Sequence, residues 1–407
     1  MGTDAISRGT ASGFQHPPSA KLRLSPFLLA IADDATGALE VGGQLAIQGI
    51  RSHVTTTGGL DLAADALVVD LETRHLAAAE AGLSVASLAL VARAGGIPHL
   101  YKKTDSTLRG NIASEFQALL HAFPERLLVY VPAYPKMKRT VVGGELYVDG
   151  KPLAETATAA DRLNPSSEGN IPALLAKGCS APVSVAGTAR EVRMLLSDCA
   201  PGSVIVCDGT SDDDLRETAA AIAEAGRPAI VAGTGGFVGY WAARLPVPRR
   251  YVAPRLRIGR CLVASGSLHP ASREQIRRAA PAAIHTLYLD QQPDQETVQA
   301  LAEHDWAALA TPGDCPGGVS ARMGALVREA LAARATDCLV IFGGDTALAV
   351  LAALGVTTVE SAGELLPGIP ISTTTYAGRQ LVFVTKAGGF GGEDTLLVIK
   401  ELLEKKR

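Results

Sequence analysis

Residues Tyr101–Asn111 crowd two lysines, an aspartate, hydroxyls, an arginine and a Gly-Asn pair into eleven residues. So many charges and hydrogen-bonding groups are costly to bury and of little use to an apolar core. The combination asks for a small anionic, hydroxylated ligand. Arg109 can grip a carboxylate in bidentate fashion, and Lys103 adds a point charge. Asp105 can accept from a sugar-like hydroxyl, while Ser106, Thr107 and Asn111 complete the polar cluster. Gly110 permits close approach of backbone amides at the next helix start. The blander reading is a solvated loop followed by a helix cap. Arg74 is a second candidate for the same carboxylate, or an ordinary surface arginine.

Two further constellations carry chemistry. Asp33-Asp34 follows a short apolar run, where one aspartate can cap the following helix. A pair can also orient a hydroxyl, take its proton, or bind Mg²⁺ through oxygen. Later in the chain, Ser265-Gly266-Ser267, Gly343-Gly344-Asp345-Thr346 and Gly388-Gly389-Phe390-Gly391-Gly392 each place free amides beside a helix start, as phosphates require. Three such loops together favour a nucleotide over routine glycine turns. Lys386 either neutralises phosphate or lies exposed on a hairpin; His269 either caps its helix or touches a phosphate. No GxxxxGK[ST] P-loop, complete GxGxxG fingerprint or G-x-S-x-G elbow is present. Gly233-Thr234-Gly235-Gly236 reads as a tight turn near the cleft or a domain joint.

Short apolar strands alternate with helical patterns, which predicts an α/β fold. We expect two domains with mainly parallel sheets flanked by helices, each with a β-hairpin element. Residues 1–24 read as a disordered leader, 25–245 as the domain for the small anionic, hydroxylated ligand, 246–259 as a Pro/Arg-rich linker and 260–407 as a nucleotide-binding domain. Strands are expected at 27–32, 66–70, 99–103, 127–131, 203–207, 229–232, 260–265 and 338–342. A flap is expected over 136–156 and a late hairpin over 371–385. A formal net charge of -3 with scattered Lys and Arg gives no bulk attraction for nucleic acid or an anionic membrane. No apolar run is long enough to span a bilayer. The six cysteines have no zinc spacing, and reduced thiols in a cytoplasmic protein are expected.

From about Phe27 to Glu404 the chain resembles the four-carbon acid sugar kinase family. The likeness is carried by Ile31–Gly37, Asp70–Arg74, Lys102–Asn111, Val131–Pro135, Val148–Thr156 and Asp161–Pro165. In the second half it is carried by Ser265–Ser267, Gly343–Thr346, Leu366–Pro370 and Lys386–Asp394. The resemblance implies ATP-dependent phosphoryl transfer, with Mg²⁺, to the terminal hydroxyl of a C4 sugar acid, and leaves room for a homodimer. It implies that Arg109 and Lys103 hold the acid with help from Arg74. Asp34 or Asp33, with Asp105 nearby, would serve the attacking hydroxyl, and the three glycine loops would hold ATP. Asp345, Ala347 and Lys138-Arg139 depart from the family pattern. The Lys-x-Asp-Ser-Thr-Leu-Arg wording is similar to the threonate and erythronate branch, so D-threonate is the expected substrate. D-erythronate and 3-oxo-tetronate are the alternatives, and a non-catalytic sugar-acid sensor or a nicotinamide oxidoreductase are rivals of another class.

Overall fold

Runs such as Leu-Leu-Ala-Ile-Ala and Ala-Leu-Val-Val-Asp, apolar on both faces, are what strands buried between helix layers require. The computed structural model describes residues 26–56, 64–156, 168–281, 284–313 and 319–406. The expected leader, the Asp161–Pro165 block and Cys315 lie outside them. In the first half the strands are β1 (Leu28–Ala32), β2 (Ser52–Thr55), β3 (Ala66–Asp70), β4 (His99–Lys103) and β5 (Leu127–Val131). They are followed by β6 (Arg139–Val142), β7 (Glu145–Val148), β8 (Lys151–Pro152), β9 (Val183–Ala186), β10 (Val204–Cys207) and β11 (Ala229–Gly233). The second half holds β12 (Cys261–Ser265), β13 (His285–Tyr288), β14 (Trp306–Ala310), β15 (Cys338–Phe342), β16 (Thr358–Leu366), β17 (Ile369–Tyr376) and β18 (Arg379–Lys386).

Between them run α1 (Ala35–Ile47), α2 (Ala78–Ala94), α3 (Ile112–Ala122), α4 (Ile171–Ala176), α5 (Ala189–Asp198) and α6 (Asp212–Glu224). The series continues with α7 (Gly235–Ala242), α8 (Pro270–Ala279), α9 (Asp294–Glu303), α10 (Ser320–Ala333), α11 (Gly344–Ala353) and α12 (Thr395–Glu404). Strands β6, β7 and β8 form a separate three-stranded sheet, so the expected flap carries a second turn at Gly143-Gly144 besides Asp149-Gly150. Among the described residues no helix is long and apolar enough to cross a membrane.

The two expected sheets are joined. Among the described residues one sheet runs β13-β14-β12-β15-β18-β17-β16-β2-β3-β1-β4-β11-β5-β10-β9. The halves meet where β16 pairs antiparallel with β2, a strand without a sequence-level expectation. The late hairpin is thus a three-stranded meander of β16, β17 and β18. Following the pairings across it, the strands of the second half run opposite to those of the first. The loop after β15 nevertheless reaches the loop after β1: a Cβ on Gly344 would lie 3.0 Å from Thr36 Oγ1. Helix α1 lies against this junction, packed on β16, β17 and α11. Its residues are buried almost all round, as an apolar helix between two layers should be.

Candidate active site

Strands β3, β1 and β4 are neighbours, so the loops at their carboxyl ends bring together residues far apart in sequence. Asp33-Asp34 follows β1, Arg74 lies beyond β3, and Asp105 to Arg109 follow β4. The Arg74 guanidinium sits in the middle of them. Its Nε donates to Asp33 Oδ2 at 2.8 Å and its Nη1 to Asp34 Oδ2 at 2.8 Å, while Nη2 lies 3.5 Å from Asp105 Oδ1. Arg109 clasps Asp105 in bidentate fashion, Nε to Oδ2 at 2.9 Å and Nη2 to Oδ1 at 2.7 Å. Thr107 donates to Asp105 through both its amide and its hydroxyl. Two non-glycine residues in the left-handed region, Glu72 (φ 48°) and Leu108 (φ 61°), aim these arginines. Such conformations cost about 1–3 kcal/mol and persist where the surroundings fix them.

Electrostatics follow from burial against charge. Burial alone would raise Asp33, but Arg74, Lys102 and Lys103 hold its carboxyl below the ordinary range. The same contest at Asp105 is won by Arg109 and Arg74, and its carboxyl lies well below that range. Asp34 Oδ1 accepts from the Gly37 amide and so caps α1. Asp33 Oδ1 is buried with no hydrogen-bond partner.

Lys103 and Lys102 point to opposite faces of β4, as strand alternation dictates. Lys103 Nζ donates to the Thr104 carbonyl at 2.9 Å on the site side. Lys102, by contrast, is buried on Glu115 at 3.0 Å. Asn111 turns away, donating to the carbonyls of Thr73 and Leu76 and tying down the loop that carries Arg74. Ser106 is half-buried in the same loop.

The second half's three glycine loops also converge. A Cβ on Gly266 would stand 2.2 Å from Thr346 Oγ1, and one on Gly388 would stand 2.5 Å from Ser267 Oγ. Ser265 ends β12, buried beneath them, and Asp345 is exposed in the first turn of α11. Ala347 is fully buried, so the hydroxyl facing the loops at this helix start is that of Thr346. His269 caps α8, its Nδ1 accepting from the Ala271 amide.

Lys386 is buried rather than exposed on a hairpin. Its Nζ donates to the carbonyls of Ala387, Gly388 and Phe390 at 3.0, 3.2 and 3.1 Å. Gln275 Nε2 takes those of Phe390, Gly391 and Gly392, and Ser272 that of Gly388. In a trans peptide the N–H points opposite to the C=O. The amides of Gly388, Gly389, Gly391, Gly392 and Glu393 therefore face away from Lys386 and Gln275, an arrangement that fits polyphosphate. Sequence reading missed Gln275 and Ser272, which sit at i and i+3 on α8.

Burial pushes the Lys386 ammonium down to about 7. An ammonium held below its unfolded value binds a proton less readily when folded. Its contribution to stability therefore rises with pH between roughly 7 and 10. Lys386→Met should abolish that rise in urea melts at pH 7 and 9.5, as the carbonyls lose their donor. An unchanged pH slope would contradict the assignment.

The halves touch at the two helix starts. A Cβ on Gly344, the first residue of α11, would lie 3.0 Å from Thr36 Oγ1 and 3.6 Å from Asp34 Oδ2. Gly343 before it, at φ 104°, takes a conformation few other residues can adopt. The amino ends of α1 and α11, each carrying partial positive charge, thus meet beside Asp34.

A cluster of arginines and aspartates in one half meets the glycine loops of the other beside Gly344, the kind of juxtaposition a kinase of a small acid requires. A sugar-binding N-terminal domain matches residues 28–241, and a nucleotide-binding C-terminal domain matches residues 284–396. The chain belongs to the four-carbon acid sugar kinase family. It is 34% identical to a D-threonate kinase of Bordetella bronchiseptica, over 94% of this chain and 98% of that one. A D-threonate kinase of Salmonella typhimurium is 30% identical over 91% and 96% of the two chains. A 3-oxo-tetronate kinase of Cupriavidus necator is 30% identical over 91% and 95%. The crystal structure of Haemophilus influenzae protein HI1011 shares the fold, with a TM-score of 0.70 at 22% identity, covering 92% of this chain and 100% of that one.

Proposed function

We propose that this chain is a D-threonate 4-kinase, converting ATP and D-threonate to ADP and 4-phospho-D-threonate. The observation that carries the reading is Asp34, which touches Arg74 on the acid side and adjoins Gly344 on the glycine-loop side. The acid's carboxylate meets Arg109, whose Nη1 donates to none of the described residues, with Lys103 alongside. Asp34 orients the 4-hydroxyl and accepts its proton as the O4–phosphorus bond forms. The bond from phosphorus to the β,γ-bridging oxygen breaks, and ADP leaves. Positioning and electrostatic stabilisation supply most of the rate, as is general for phosphoryl transfer.

Asp105, with both oxygens engaged by Arg109 and Thr107, acts by fixing Arg109. Mg²⁺ bound with the nucleotide would offset phosphate charge, and Asp345, exposed in the first turn of α11, would be a carboxylate able to meet it. Free thiols at Cys179, Cys199, Cys207 and Cys338 support a cytoplasmic setting.

The test uses purified protein with ATP-Mg²⁺ and D-threonate, D-erythronate, L-threonate and a 3-oxo-tetronate, following ADP release and the ³¹P spectrum of the product. D-threonate should give the highest kcat/KM and a 4-phosphate ester. A higher value for D-erythronate or the 3-oxo acid would overturn the substrate. ADP release with none of the acids would overturn the kinase reading.

A further inference from the structure

Helix α1 carries a polar stripe where burial calls for apolar side chains. Asp34, Gly37, Glu40 and Gln44 recur at intervals of three and four, which places them on one helix face. Asp34 belongs to the site already described. Gln44 donates through Nε2 to Glu364 Oε2 at 2.9 Å, linking the stripe to β16. Glu40 lies between them. It is 6% exposed, a rare position for a carboxylate.

Its surroundings single it out. Glu40 Oε2 is 3.9 Å from Lys103 Nζ. Oε1 accepts no hydrogen bond and is shielded from solvent. The residue is also given room: a Cβ on Gly235 would fall 2.1 Å from Glu40 Cδ and 2.2 Å from its Oε2. That gives the Gly233-Thr-Gly-Gly turn a purpose which neither nucleotide binding nor chain reversal demands. On the other side, a Cβ on Gly368 in the β16–β17 turn would stand 3.8 Å from Oε1.

Burial raises the Glu40 carboxyl above its usual range. Lys103 and Tyr134 oppose that shift, and the charges of Asp34 and Asp105 reinforce it. A Cβ on Gly37 would lie 2.6 Å from Asp34 Oδ1 and 2.8 Å from Lys103 Nζ, so Glu40, one turn further along the same helix face, shares Lys103 with Asp34. A sugar acid entering there cannot present its carboxylate to Glu40, because like charges repel. It can present a hydroxyl.

We propose that Glu40 is a specificity-determining residue whose Oε1 accepts a hydrogen bond from a secondary hydroxyl of the substrate, at C2 or C3; this rests on the sugar-acid kinase reading above. Lys103 and Arg109 then hold the acid end, and Glu40 reads the carbinol edge. A site built to receive a hydroxyl proton discriminates strongly against analogues lacking that hydroxyl, because its polar group is left bare. A keto group at the same carbon is rejected for a related reason: it offers only lone pairs to a carboxylate that offers only lone pairs.

The experiment compares D-threonate with its two deoxy analogues, 3,4-dihydroxybutanoate and 2,4-dihydroxybutanoate, in the parent, Glu40→Gln and Glu40→Ala. Acids turned over too slowly are read as competitive inhibitors. The parent should prefer threonate to one of the two analogues by roughly a hundredfold. In Glu40→Ala that preference should fall below about threefold while the preference over the other analogue stays as in the parent. Glu40→Gln, of the same shape and with a neutral acceptor, should fall between, roughly fivefold below the parent.

Retention of both parental preferences in the two variants would overturn the proposal, as would a parent that discriminates against neither analogue. Should Glu40→Ala not fold, Glu40→Gln alone decides between a reduced and an unchanged preference. Calorimetric binding of the three acids gives the same ratios without turnover. Failure of phosphorylation in the parent therefore counts against the kinase reading and is seen separately.

Discussion

Asp34→Asn is expected to lower kcat for phosphorylation of the acid by about 10²–10⁴-fold, the range associated with a positioned acid–base group, with little change in KM for ATP. Asparagine caps a helix about as well as aspartate. The bond from the Gly37 amide and the start of α1 should survive, which separates catalysis from folding. What the substitution removes is the charge on an oxygen that faces both Arg74 and the first residue of α11. The 4-hydroxyl then loses the acceptor that points its lone pair at phosphorus.

Single-turnover rates measured by rapid quench would show whether the loss is in the chemical step rather than in product release. Asp33→Asn is the control. Asp33 is held by the same arginine but has one oxygen bare. If Asp33→Asn abolishes the chemical step and Asp34→Asn leaves it at the parental rate, the two roles must be exchanged.

The loops carrying Asp33-Asp34 and Arg74 are visible in the sequence because each follows a short apolar run, and Lys103–Arg109 because of its density of charges and hydrogen-bonding groups. In a parallel sheet, polar residues at carboxyl ends gather ligands. Their adjacency was not visible. It depends on the order β3-β1-β4, which long-range pairing sets and local pattern does not. Strand β2 left no clear mark for a similar reason: Ser52-His-Val-Thr has little apolar character of its own, and its pairing with β16 holds it at the seam.

Lys386 illustrates a limit of reading exposure from residue type. It ends β18, between β15 and β17, and the carbonyls of the following loop take the place of water around its ammonium. Glu40 escaped notice because one carboxylate inside a helical pattern resembles an ordinary solvated face. Only the packing of α1 between the halves shows that its face is closed. Asn111 adjoins Lys103–Arg109 in sequence, but its side chain serves the neighbouring loop, donating to the carbonyls of Thr73 and Leu76.

Replacing Arg74 should have the largest effect on stability. Its guanidinium, 9% exposed at the side chain, is shared among Asp33, Asp34 and Asp105. Removing one partner of a buried charge cluster costs about 3–5 kcal/mol, because the remaining charges are left uncompensated. Arg74→Met should therefore lose about that much at pH 7, together with catalysis.

The sign of its pH dependence distinguishes this cause from simple loss of packing. In the parent, Asp33 and Asp105 have carboxyls held below their unfolded values. Their stabilising contribution is full above roughly pH 4 and is lost as pH falls through the folded values. Without Arg74, burial gains on the remaining lysines at Asp33, and the folded carboxyl moves up. The variant binds protons more readily when folded than the parent does. Its deficit should shrink as pH is lowered from 7 to 4.5, by on the order of 1 kcal/mol in urea melts.

A deficit equal at both pH values would mean that packing, not charge, is what Arg74 supplies. Arg74→Lys adds a second discrimination. A single ammonium restores a positive charge but cannot bridge three carboxylates with planar donors. It should recover most of the pH behaviour while leaving kcat low, because Asp34 is no longer held toward the start of α11.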